Sequence, residues 1–499
     1  MFFKNDLVLL SEQNLNLFFM EPENIDKKLM SLLGNSLKES IGMKKVSAYL
    51  YERIVKSDNN STDLLEARMK KYYWSISLVK RFFYNVKKGY ISKDMTARLV
   101  DVVFKGAFHC DNAENVKLHD NTVKAYFEKH GVNPPSFIVI SPTQRCNLQC
   151  TGCYASSGAN KTPQLSYSTV DKIIGEFRDE MGGRFVVVSG GEPLMYREGD
   201  RSLFDIFKKY NDVFFMFYTN GTLINEYTAH YLSKLGNAIP AISVEGYEKE
   251  TDARRGLGTY RKIMQAMENL KNAGVPFLTS VTATSKNAQL LLEDDFYEYY
   301  FDKLGASFMW QFQLMPIGRG SSAFEMVPTP EIRAKLYKKW ENLLLKKKYP
   351  VADFWNSGVL MGGCIAYGRR GGYIYIDWNG NIMPCVFVPY TIDNVNEIYE
   401  RGGDLSEALK RKFMCNGRAW QDKEQRNKSH VSNLLMPCSI RDHYDNFRKN
   451  ILTSDARGED ASAQDILKDE EYYRSLCEYD EELSGITEKI WEHEYLKSE

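Results

Sequence analysis

The spacing of apolar residues along the chain changes near residue 135. Before that point, stretches such as Leu64 to Asn85 and Met95 to Phe108 carry apolar residues at intervals of three and four. This spacing is typical of one face of a helix. The segment Gly131-Val-Asn-Pro-Pro135 then interrupts the pattern, because consecutive prolines fix the backbone and remove hydrogen-bond donors. The sequence therefore predicts a helical N-terminal domain over residues 1–132.

The spacing of apolar residues changes after the two prolines. Six short runs rich in β-branched and aromatic residues alternate with amphipathic stretches of helical period, which predicts repeated strand–helix units and a parallel sheet. The strands are predicted at 137–141, 184–189, 213–220, 241–245, 276–284 and 307–315, and the helices at 169–181, 202–210, 226–235, 260–273 and 290–304. Such a sheet either stays open as a doubly wound layer or curls into a partial or full barrel. In a barrel, the functional groups lie at the carboxyl ends of the strands.

The chain beyond the sixth strand predicts a smaller unit and a tail. A helix is expected over 331–348, and Asn379-Gly380 between two apolar runs favours the tight turn of a β-hairpin over 373–388. From residue 455 onward the chain is strongly charged and of helical period. The predicted domains are a helical domain over 1–132, a core over 133–330, a second unit over 331–450 and a charged helical tail over 451–499.

Composition and charge narrow the class of protein. The 499 residues are 43% hydrophobic and 26% charged, as in a soluble globular protein. Lysine plus arginine and aspartate plus glutamate both number 65, so the formal net charge of zero removes a chain-wide electrostatic case for nucleic acid. No uncharged apolar run reaches the length of about 18 residues that a membrane span needs, and no signal peptide is recognisable. We expect a cytoplasmic protein with no nucleic-acid partner and no membrane span.

The cysteines carry the strongest chemical signal. Three of the nine lie within eight residues, in Cys146-Asn-Leu-Gln-Cys150-Thr-Gly-Cys153, directly after the first predicted strand. Without an export signal, cysteines favour metal or redox chemistry over disulfides. Three thiolates in one small volume suit an iron–sulfur cluster or zinc, and a four-iron cluster with three such ligands keeps one position open for a reactant. A zinc knuckle, and a metal-stabilised interaction module without catalytic activity, remain the alternatives.

The cysteine motif resembles the signature of the radical S-adenosylmethionine (SAM) enzymes, Cys-x3-Cys-x2-Cys, in a partial six-stranded βα barrel. Tyr154 fits the family, whereas Gly152 stands where many members carry an aromatic residue or histidine. The resemblance implies a [4Fe-4S] cluster held by Cys146, Cys150 and Cys153, with SAM chelating the remaining iron. It further implies reductive cleavage of SAM to a 5′-deoxyadenosyl radical, hydrogen abstraction from a substrate, and a low-potential ferredoxin or flavodoxin as electron donor.

Residues at the ends of later strands extend the resemblance. The turn Ser189-Gly190-Gly191-Glu192-Pro193 is similar to the family's turn that binds the SAM amino group. Glycine lets a backbone approach a ligand closely, so a larger residue there is expected to crowd SAM and to leave the cluster in place. The cofactor contacts that the resemblance implies are Tyr154, Gly190, Gly191, Glu192, Pro193, Asn220, Ser243, Glu245, Arg254 and Arg255. For each arginine, a bidentate clamp on the SAM carboxylate competes with a plain surface salt bridge.

The remaining cysteines predict a second metal site. Cys364, Gly380 and Cys385 have the spacing that opens the SPASM and twitch extensions, which hold auxiliary iron–sulfur clusters behind the barrel. A hairpin around Gly380 would bring the two flanking cysteines together. Within residues 355–440 only Cys415 and Cys438 follow, without the dense cysteine group of a full SPASM pattern. The resemblance therefore implies one auxiliary [4Fe-4S] cluster, with Cys364, Cys385 and Cys438 as ligands and Cys415 as a further candidate.

The substrate is less well defined by the sequence. The resemblance covers residues 135–330 and 355–440 and leaves out the first 130 residues. A peptide or protein is the favoured substrate, and the same radical chemistry on a lipid, a cofactor or another small molecule is the alternative. Trp310, Gln311 and Gln313 on the sixth predicted strand are candidates for lining the substrate cavity, and strand alternation decides which of them face inward.

Overall fold

The structure, a computed structural model, describes residues 46–48, 50–56, 64–107, 113–427 and 431–496. The predicted N-terminal domain therefore lies partly outside the described residues. Its described part contains helices α1 (Leu65–Lys87), α2 (Lys93–Leu99) and α3 (Ala113–His130), with further helical turns at Glu52–Lys56 and Val100–Ala107. The helical period of this region is thus matched by helices wherever the chain is described.

Fourteen strands form over the described residues. In chain order they are β1 (Phe137–Ile140), β2 (Phe185–Val188), β3 (Arg197–Glu198), β4 (Arg201–Ser202), β5 (Phe214–Thr219), β6 (Ala238–Val244), β7 (Leu278–Ala283), β8 (Met309–Gln313), β9 (Val351–Asp353), β10 (Tyr373–Ile376), β11 (Asn381–Met383), β12 (Tyr390–Thr391), β13 (Asp393–Asn394) and β14 (Arg457–Gly458). Ten of them make one sheet in the order β13-β11-β10-β1-β2-β5-β6-β7-β8-β9, while β12 pairs with β14 and β3 with β4.

The six predicted strands form the parallel centre of this sheet. Strands β1, β2, β5, β6, β7 and β8 are neighbours in that order, and each pair is parallel. The helices that connect them are α4 (Tyr167–Asp179), α5 (Leu203–Lys209), α6 (Glu226–Leu235), α7 (Glu248–Arg255), α8 (Thr259–Asn272) and α9 (Asp294–Glu298). The predicted α/β class with repeated strand–helix units, a partial (β/α)6 barrel, is confirmed.

Local sequence signals explain where these helices begin and end. The side chain of Ser166 accepts a hydrogen bond from the Thr169 backbone N–H at the start of α4, and Asn225 caps α6 in the same way through Thr228. Such caps satisfy donors that lack a partner in the first helical turn. Gly236 ends α6 with a φ of 70°, a left-handed conformation that glycine adopts at little cost.

The sheet extends beyond the six predicted strands on both sides. Strand β10 pairs with β1 in parallel, with Phe137 opposite Tyr373, and β11 turns back against β10. The Asp377 carboxylate accepts hydrogen bonds from the Asn379 and Asn381 backbone N–H groups, which fixes the predicted hairpin turn. Strand β9 adds to the other edge, beside β8. The hairpin that carries Gly380 is therefore part of the barrel's own sheet.

The C-terminal part of the chain is mostly helical. Its helices are α10 (Pro330–Asn342), α11 (Val395–Glu400), α12 (Ser406–Leu409), α13 (Lys412–Trp420), α14 (Tyr444–Asn446), α15 (Ala461–Ile466) and α16 (Glu470–Trp491). The buried Lys70 ammonium of α1 donates to the Tyr337 hydroxyl at 2.9 Å and to the Tyr495 hydroxyl at 2.7 Å. One lysine thus joins the N-terminal helices, α10 and the end of the chain. Within the described ranges, no helix is both long enough and apolar enough to cross a membrane.

Candidate metal centre and cofactor site

The three clustered cysteines lie in the loop that leaves the carboxyl end of β1. Cys146 is buried, whereas Cys150 and Cys153 are half-buried. The Cys146 Sγ lies 3.4 Å from the Leu148 backbone N–H and 3.8 Å from the Asn220 amide nitrogen. Burial raises the pKa of the Cys146 thiol to about 12. Binding to a metal would keep this sulfur in its thiolate form, since a metal ligand must lose its proton.

The donor set of this loop fits an iron–sulfur cluster. Across the described residues, no group of three or more His, Cys, Asp or Glu side chains is arranged to hold a single metal ion. In a four-iron cluster each cysteine binds a different iron, so the ligands stand farther apart than they do around one ion. A structural zinc site needs four protein ligands, whereas this loop offers three thiols. The chemistry of the loop therefore favours the cluster over the zinc knuckle.

Arg319 holds the cysteine loop from the far side of the barrel. It follows β8, and its backbone N–H donates to the Cys153 carbonyl at 3.0 Å. Its guanidinium donates to the Cys150 carbonyl at 3.0 Å and to the Ser157 carbonyl at 2.9 Å. Three hydrogen bonds from one residue thus fix the loop at both half-buried cysteines. No sequence motif marks Arg319, and only its position after the sixth strand could have indicated a role.

A buried ion-pair group supports the same loop from α7. The Glu245 Oε1 accepts hydrogen bonds from Arg254 at 2.5 Å and from Arg255 at 2.9 and 2.5 Å. Arg254 also exchanges two hydrogen bonds with Thr151 of the loop, at 3.0 and 3.2 Å. Neither arginine forms the surface salt bridge that was the plain alternative, because Glu245 is 1% exposed.

The second carboxylate oxygen of Glu245 indicates whether the site can bind SAM. Its Oε2 is buried and has no hydrogen-bond partner among the described residues. A buried carboxylate oxygen is costly to leave unpaired, so this atom is a ready acceptor for a ligand's ammonium or hydroxyl group. SAM offers both groups, and the site therefore fits it.

The Gly-Gly-Glu-Pro turn packs directly on the cysteine loop. The Gly191 N–H donates to the Thr143 carbonyl and the Glu192 N–H to the Arg145 carbonyl, both at 2.8 Å. A Cβ atom added at Gly191 would lie 2.1 Å from the Arg145 carbonyl oxygen, and one at Gly190 would lie 2.7 Å from the Thr143 carbonyl oxygen. The close approach that these glycines allow is therefore to the backbone of the loop itself.

Glu192 joins this turn to the end of β5. Its carboxylate accepts hydrogen bonds from the Thr219 hydroxyl at 2.7 Å and from the Asn220 backbone N–H at 2.8 Å. Burial raises the pKa of Glu192 to about 7. The Asn220 amide in turn donates to Asn147 of the cysteine loop at 2.8 Å. Pro193 begins a short helical turn over Pro193–Met195, so this segment is rigid on both sides of Glu192.

We expect Gly191→Ala to lose bound iron as well as SAM binding. The added methyl group would overlap the Arg145 carbonyl, so the backbone next to Cys146 would have to move. The sequence alone predicts crowding of SAM with an intact cluster, and the structure changes that expectation. Iron content and SAM affinity of the purified protein measure the effect. Gly485→Ala is the matched control, because an added methyl there meets nothing within 4 Å; a Gly191→Ala protein with full iron content would contradict the prediction.

Tyr154 and Ser243 face the interior of the barrel. The Tyr154 hydroxyl lies 2.8 Å from the Ser189 hydroxyl, and burial raises the pKa of Tyr154 to about 12. Ser243 on β6 is half-buried and lies opposite Ser280 on β7. Both side chains therefore stand where the strand ends converge, together with the residues of the Gly-Gly-Glu-Pro turn.

Strand alternation separates the candidates on β8. The Trp310 indole N–H points to the Met216 sulfur at 3.3 Å, and its ring stacks on Phe312. The Gln311 side chain points the other way, where it bonds with the Tyr297 hydroxyl at 2.8 Å beneath α9. Gln311 is therefore not a cavity residue. Gln313 is buried, and within the described structure its amide has no hydrogen-bond partner.

The structure brings together three of the four cysteines predicted as ligands of the auxiliary cluster. Burial raises the pKa of Cys364, of Cys385 (to about 12) and of Cys438. The thiol of Cys364 adds to the increase at Cys385. At Cys438 the increase comes further from Asp442, Cys364 and Cys385, so the three thiols share one buried region.

Cys415 does not belong to this buried group. It is exposed on α13, where its thiol donates to the Lys410 carbonyl at 3.5 Å and accepts from Arg418 at 3.2 Å. The predicted set of C-terminal ligands thus divides into three neighbouring thiols and one surface thiol.

Polar side chains that no sequence motif marks surround buried Cys385 and half-buried Cys364 and Cys438. The Tyr373 hydroxyl lies 2.9 Å from the Cys385 Sγ, and Gln425 accepts a hydrogen bond from the Cys364 N–H at 2.7 Å. Arg369 and Gln421 both donate to the Cys364 carbonyl, at 2.6 and 3.0 Å. Such outer contacts fix the orientation of ligands. No motif marks them, because they come from two distant stretches of the chain, residues 369–373 and 421–425.

Aromatic rings connect the two cysteine groups. The Phe387 backbone N–H lies 3.4 Å from the Cys385 Sγ, and its ring centroid lies 6.3 Å from that of Tyr154, the residue after Cys153. The same ring contacts Trp355 at 4.8 Å and Phe312 at 6.0 Å. The Phe387 ring contacts the rings of Phe312 and Tyr154, and the three rings form an aromatic wall beside the cysteine loop. All three side chains are only half-buried.

Known proteins resemble this chain in sequence and in fold. Residues 140–285 match the family model of the radical SAM superfamily. Mycofactocin maturase MftC of Mycobacterium ulcerans is 32% identical over 267 residues, covering 52% of this chain and 70% of that protein. An AdoMet-dependent heme synthase of Methanosarcina barkeri is 25% identical over 293 residues, covering 53% of this chain and 80% of that protein. The solved structure of Streptococcus suis SuiB bound to precursor peptide SuiA has a TM-score of 0.51 at 17% identity, covering 70% of this chain and 81% of SuiB.

The likeness to SuiB and the likeness to the maturase support different conclusions, one about the fold and one about the family. The likeness to SuiB concerns the fold, because the sequence identity is low. The likeness to the maturase extends over more than two thirds of that relative, and the family model covers the cysteine loop and the Gly-Gly-Glu-Pro turn. This chain therefore belongs to the radical SAM superfamily, and it is an enzyme whose cofactors are a [4Fe-4S] cluster and S-adenosylmethionine.

Proposed function

We propose that this enzyme modifies a peptide substrate by radical chemistry. The observation that carries the proposal is the likeness to mycofactocin maturase, a relative named for maturation of a product. SuiB, whose fold this chain shares, is bound to its precursor peptide SuiA in the solved complex. The half-buried aromatic wall of Tyr154, Phe312 and Phe387 offers apolar contacts to a side chain that enters beside the cysteine loop.

The cluster would be held by Cys146, Cys150 and Cys153. When bound, the cluster and SAM supply a one-electron cleavage that yields a hydrogen-abstracting 5′-deoxyadenosyl group. Arg319 and Arg254 orient the loop through its carbonyl groups, and the Gly190-Gly191 turn supports it from below. These contacts keep the ligand spacing fixed in advance, which lowers the cost of binding the cluster.

The same region would bind SAM through side chains at the strand ends. The free Oε2 of Glu245 would accept a hydrogen bond from the cofactor, while Arg254 and Arg255 hold its Oε1 in place. The further contacts proposed for SAM are Tyr154, Gly190, Gly191, Glu192, Pro193, Asn220 and Ser243. Glu192 and Asn220 act mainly as positioning residues, because their polar groups already bond to the protein.

We also propose one auxiliary [4Fe-4S] cluster at Cys364, Cys385 and Cys438. Burial raises the pKa of all three thiols, and the neighbouring thiols raise it further at Cys385 and Cys438, so isolated thiolates are costly there and iron would offset that cost. Cys415 is a weaker candidate, since it lies at the surface on α13. Phe387 and Tyr154 would stand between the two clusters, at the side where a substrate enters.

A small molecule is the second candidate substrate. The relative that favours it is the AdoMet-dependent heme synthase, whose named activity concerns a planar cofactor. The aromatic wall would suit such a ring system as well as an apolar side chain. A low-potential ferredoxin or flavodoxin is the proposed electron donor in either case. Iron–sulfur ligands need a reducing compartment, which favours the cytoplasm.

Deuterium transfer separates the two substrate classes. The reduced, reconstituted enzyme is incubated anaerobically with SAM and a deuterated extract of the source organism, divided into peptide and small-molecule fractions. We expect deuterium in 5′-deoxyadenosine only with the peptide fraction, and protease treatment of that fraction should abolish it. Transfer from the protease-resistant fraction would instead establish the small-molecule candidate. The protein lacking Cys146, Cys150 and Cys153 is the control for enzyme-dependent transfer.

A further inference from the structure

Tyr373 is a buried phenol that lies against the thiol of Cys385. Its hydroxyl oxygen is 2.9 Å from the Cys385 Sγ, and the two residues are only 3% and 6% exposed. While the thiol keeps its proton, either atom can donate the hydrogen bond. A sulfur that binds iron has lost its proton, so the Tyr373 O–H then donates and the sulfur accepts. In an iron-bound site this contact is a hydrogen bond from a phenol to a cluster ligand.

Packing and backbone hydrogen bonds hold Tyr373 in this position. Its ring stacks on that of Phe137 in the neighbouring strand β1, with 4.9 Å between the centroids and 19° between the planes. Its backbone N–H donates to the Ile365 carbonyl at 2.9 Å, and its carbonyl accepts from the Gly368 N–H at 2.9 Å. Both partners lie in the segment that follows Cys364. Tyr373 is therefore tied to the segment of one proposed ligand and to the thiol of another.

A hydrogen bond to a ligand sulfur changes the reduction potential of an iron–sulfur cluster. One-electron reduction adds a negative charge to the cluster, and the ligand sulfurs carry part of that charge. The positive end of the Tyr373 O–H dipole therefore stabilises the reduced cluster more than the oxidised one. Burial strengthens this effect, because little water is present to screen the dipole. The Phe387 backbone N–H, 3.4 Å from the same sulfur, acts in the same direction.

The distance between the phenol oxygen and the sulfur also distinguishes this role from iron binding. Ligands of different irons in one cluster stand apart from each other, since each binds its own corner. The Tyr373 oxygen instead lies at hydrogen-bond distance from the Cys385 Sγ. It is therefore placed to act on the sulfur, as a positioning residue, and not as a further ligand.

We propose that Tyr373 raises the reduction potential of the auxiliary cluster through its hydrogen bond to Cys385. This inference rests on the proposed cluster at Cys364, Cys385 and Cys438. The step that it affects is the gain of one electron by the oxidised cluster from an external reductant, and no proton or atom is transferred.

Potentiometric titration tests this role. The starting protein carries alanine at Cys146, Cys150 and Cys153, so that the auxiliary cluster is observed alone. Adding Tyr373→Phe removes the hydroxyl and keeps the ring that stacks on Phe137. We expect unchanged iron content and a fall of about tenfold in the equilibrium constant for reduction, which is a shift of about 59 mV to lower potential for one electron. Electron paramagnetic resonance measures the reduced fraction at each applied potential, with dithionite as the reductant.

An exchangeable proton provides a second measurement. The Tyr373 O–H proton exchanges with solvent and lies next to the ligand sulfur, so in heavy water its deuteron should couple to the unpaired spin of the reduced cluster. Electron–nuclear double resonance should show this coupling in the starting protein and its loss in the Tyr373→Phe variant. A residue that only supported the fold would leave both the potential and the coupling unchanged.

Tyr375→Phe provides the matched control. Tyr375 lies two residues farther along β10 and is 1% exposed, but its hydroxyl donates to the Ser141 hydroxyl at 2.9 Å. This variant removes a buried phenol hydroxyl from the same strand and leaves the hydrogen bond to sulfur in place. The auxiliary cluster should therefore keep its potential and its exchangeable coupling.

Two results would overturn the role of Tyr373. One is a Tyr373→Phe protein whose cluster has the potential and the coupling of the starting protein. The other is a Tyr373→Phe protein that has lost the cluster, since Tyr373 would then be a ligand or a support of the site. A starting protein that binds no iron would refute the auxiliary cluster itself, and the role of Tyr373 with it.

Discussion

Replacing Cys146, Cys150 and Cys153 together by alanine is expected to abolish SAM cleavage and to remove about half of the bound iron. The three thiols are the soft ligands of the cysteine loop, and without them no iron remains for SAM to chelate. The other half of the iron should stay with Cys364, Cys385 and Cys438, which lie on separate segments. Iron analysis and chromatographic detection of 5′-deoxyadenosine under anaerobic conditions measure both effects.

The control for this variant removes cysteines outside both groups. Cys415 is exposed and Cys477 is half-buried on α16, so a protein with alanine at both positions should keep its iron and its activity. Unchanged 5′-deoxyadenosine production after loss of the three loop cysteines would contradict the proposed metal site.

The auxiliary site is expected to be separable from SAM cleavage. Cys385→Ala removes a buried thiol that contacts the Tyr373 hydroxyl and the Phe387 N–H. We expect it to lose the second cluster, because a closed site tolerates the loss of a ligand poorly. SAM cleavage without substrate should continue, whereas substrate turnover should fall sharply. Mössbauer or electron paramagnetic resonance spectra, together with iron content, count the clusters that remain.

Cys415→Ala is the decisive companion variant. Its surface position predicts a full set of clusters and normal turnover. If Cys415→Ala alone loses the second cluster, the fourth candidate is a true ligand and α13 must move when iron binds. A wild-type protein with one cluster, or a Cys385→Ala protein with two, would show that Cys364, Cys385 and Cys438 hold no metal.

The strands were predictable because their signals are local. Runs such as Phe185-Val-Val-Val188 are apolar throughout, and the observed β2 covers that run. Strand β6 shows the limit of such reasoning. It begins at Ala238, although the sequence predicts a start at residue 241, and proline is disfavoured within a central strand. In the structure Pro240 lies opposite Phe217 within the sheet, and tertiary packing has overridden the local preference.

Pairing between distant strands was not predictable. The sequence indicates the hairpin of β10 and β11, but nothing in it shows that β10 lies against β1. The predicted boundaries at residues 132, 330 and 450 stay predictions. The sheet extends across the predicted domain boundary at residue 330, since β9 and β10 both follow that residue in the chain.

In the candidate site, too, local features were predictable from the sequence and contacts between distant segments were not. The spacing of Cys146, Cys150 and Cys153 predicts a shared loop, because short spacing implies proximity. Spacing alone could not separate Cys415 from Cys438, since their distances in space depend on packing. Arg319 reaches the loop from the end of β8, and only the folded barrel brings it there.

The pairing of β1 with β10 has a consequence for how the chain folds. During synthesis β1 emerges before the rest of the sheet. Strand β10, which pairs with one edge of β1, emerges only after the other barrel strands. Until then one edge of a strongly apolar strand stays open, and open edges recruit other strands and promote aggregation. Pairing so distant in sequence also slows folding. A truncated chain that ends at residue 330 would keep that edge permanently exposed, so the chain of 499 residues is the appropriate material for purification.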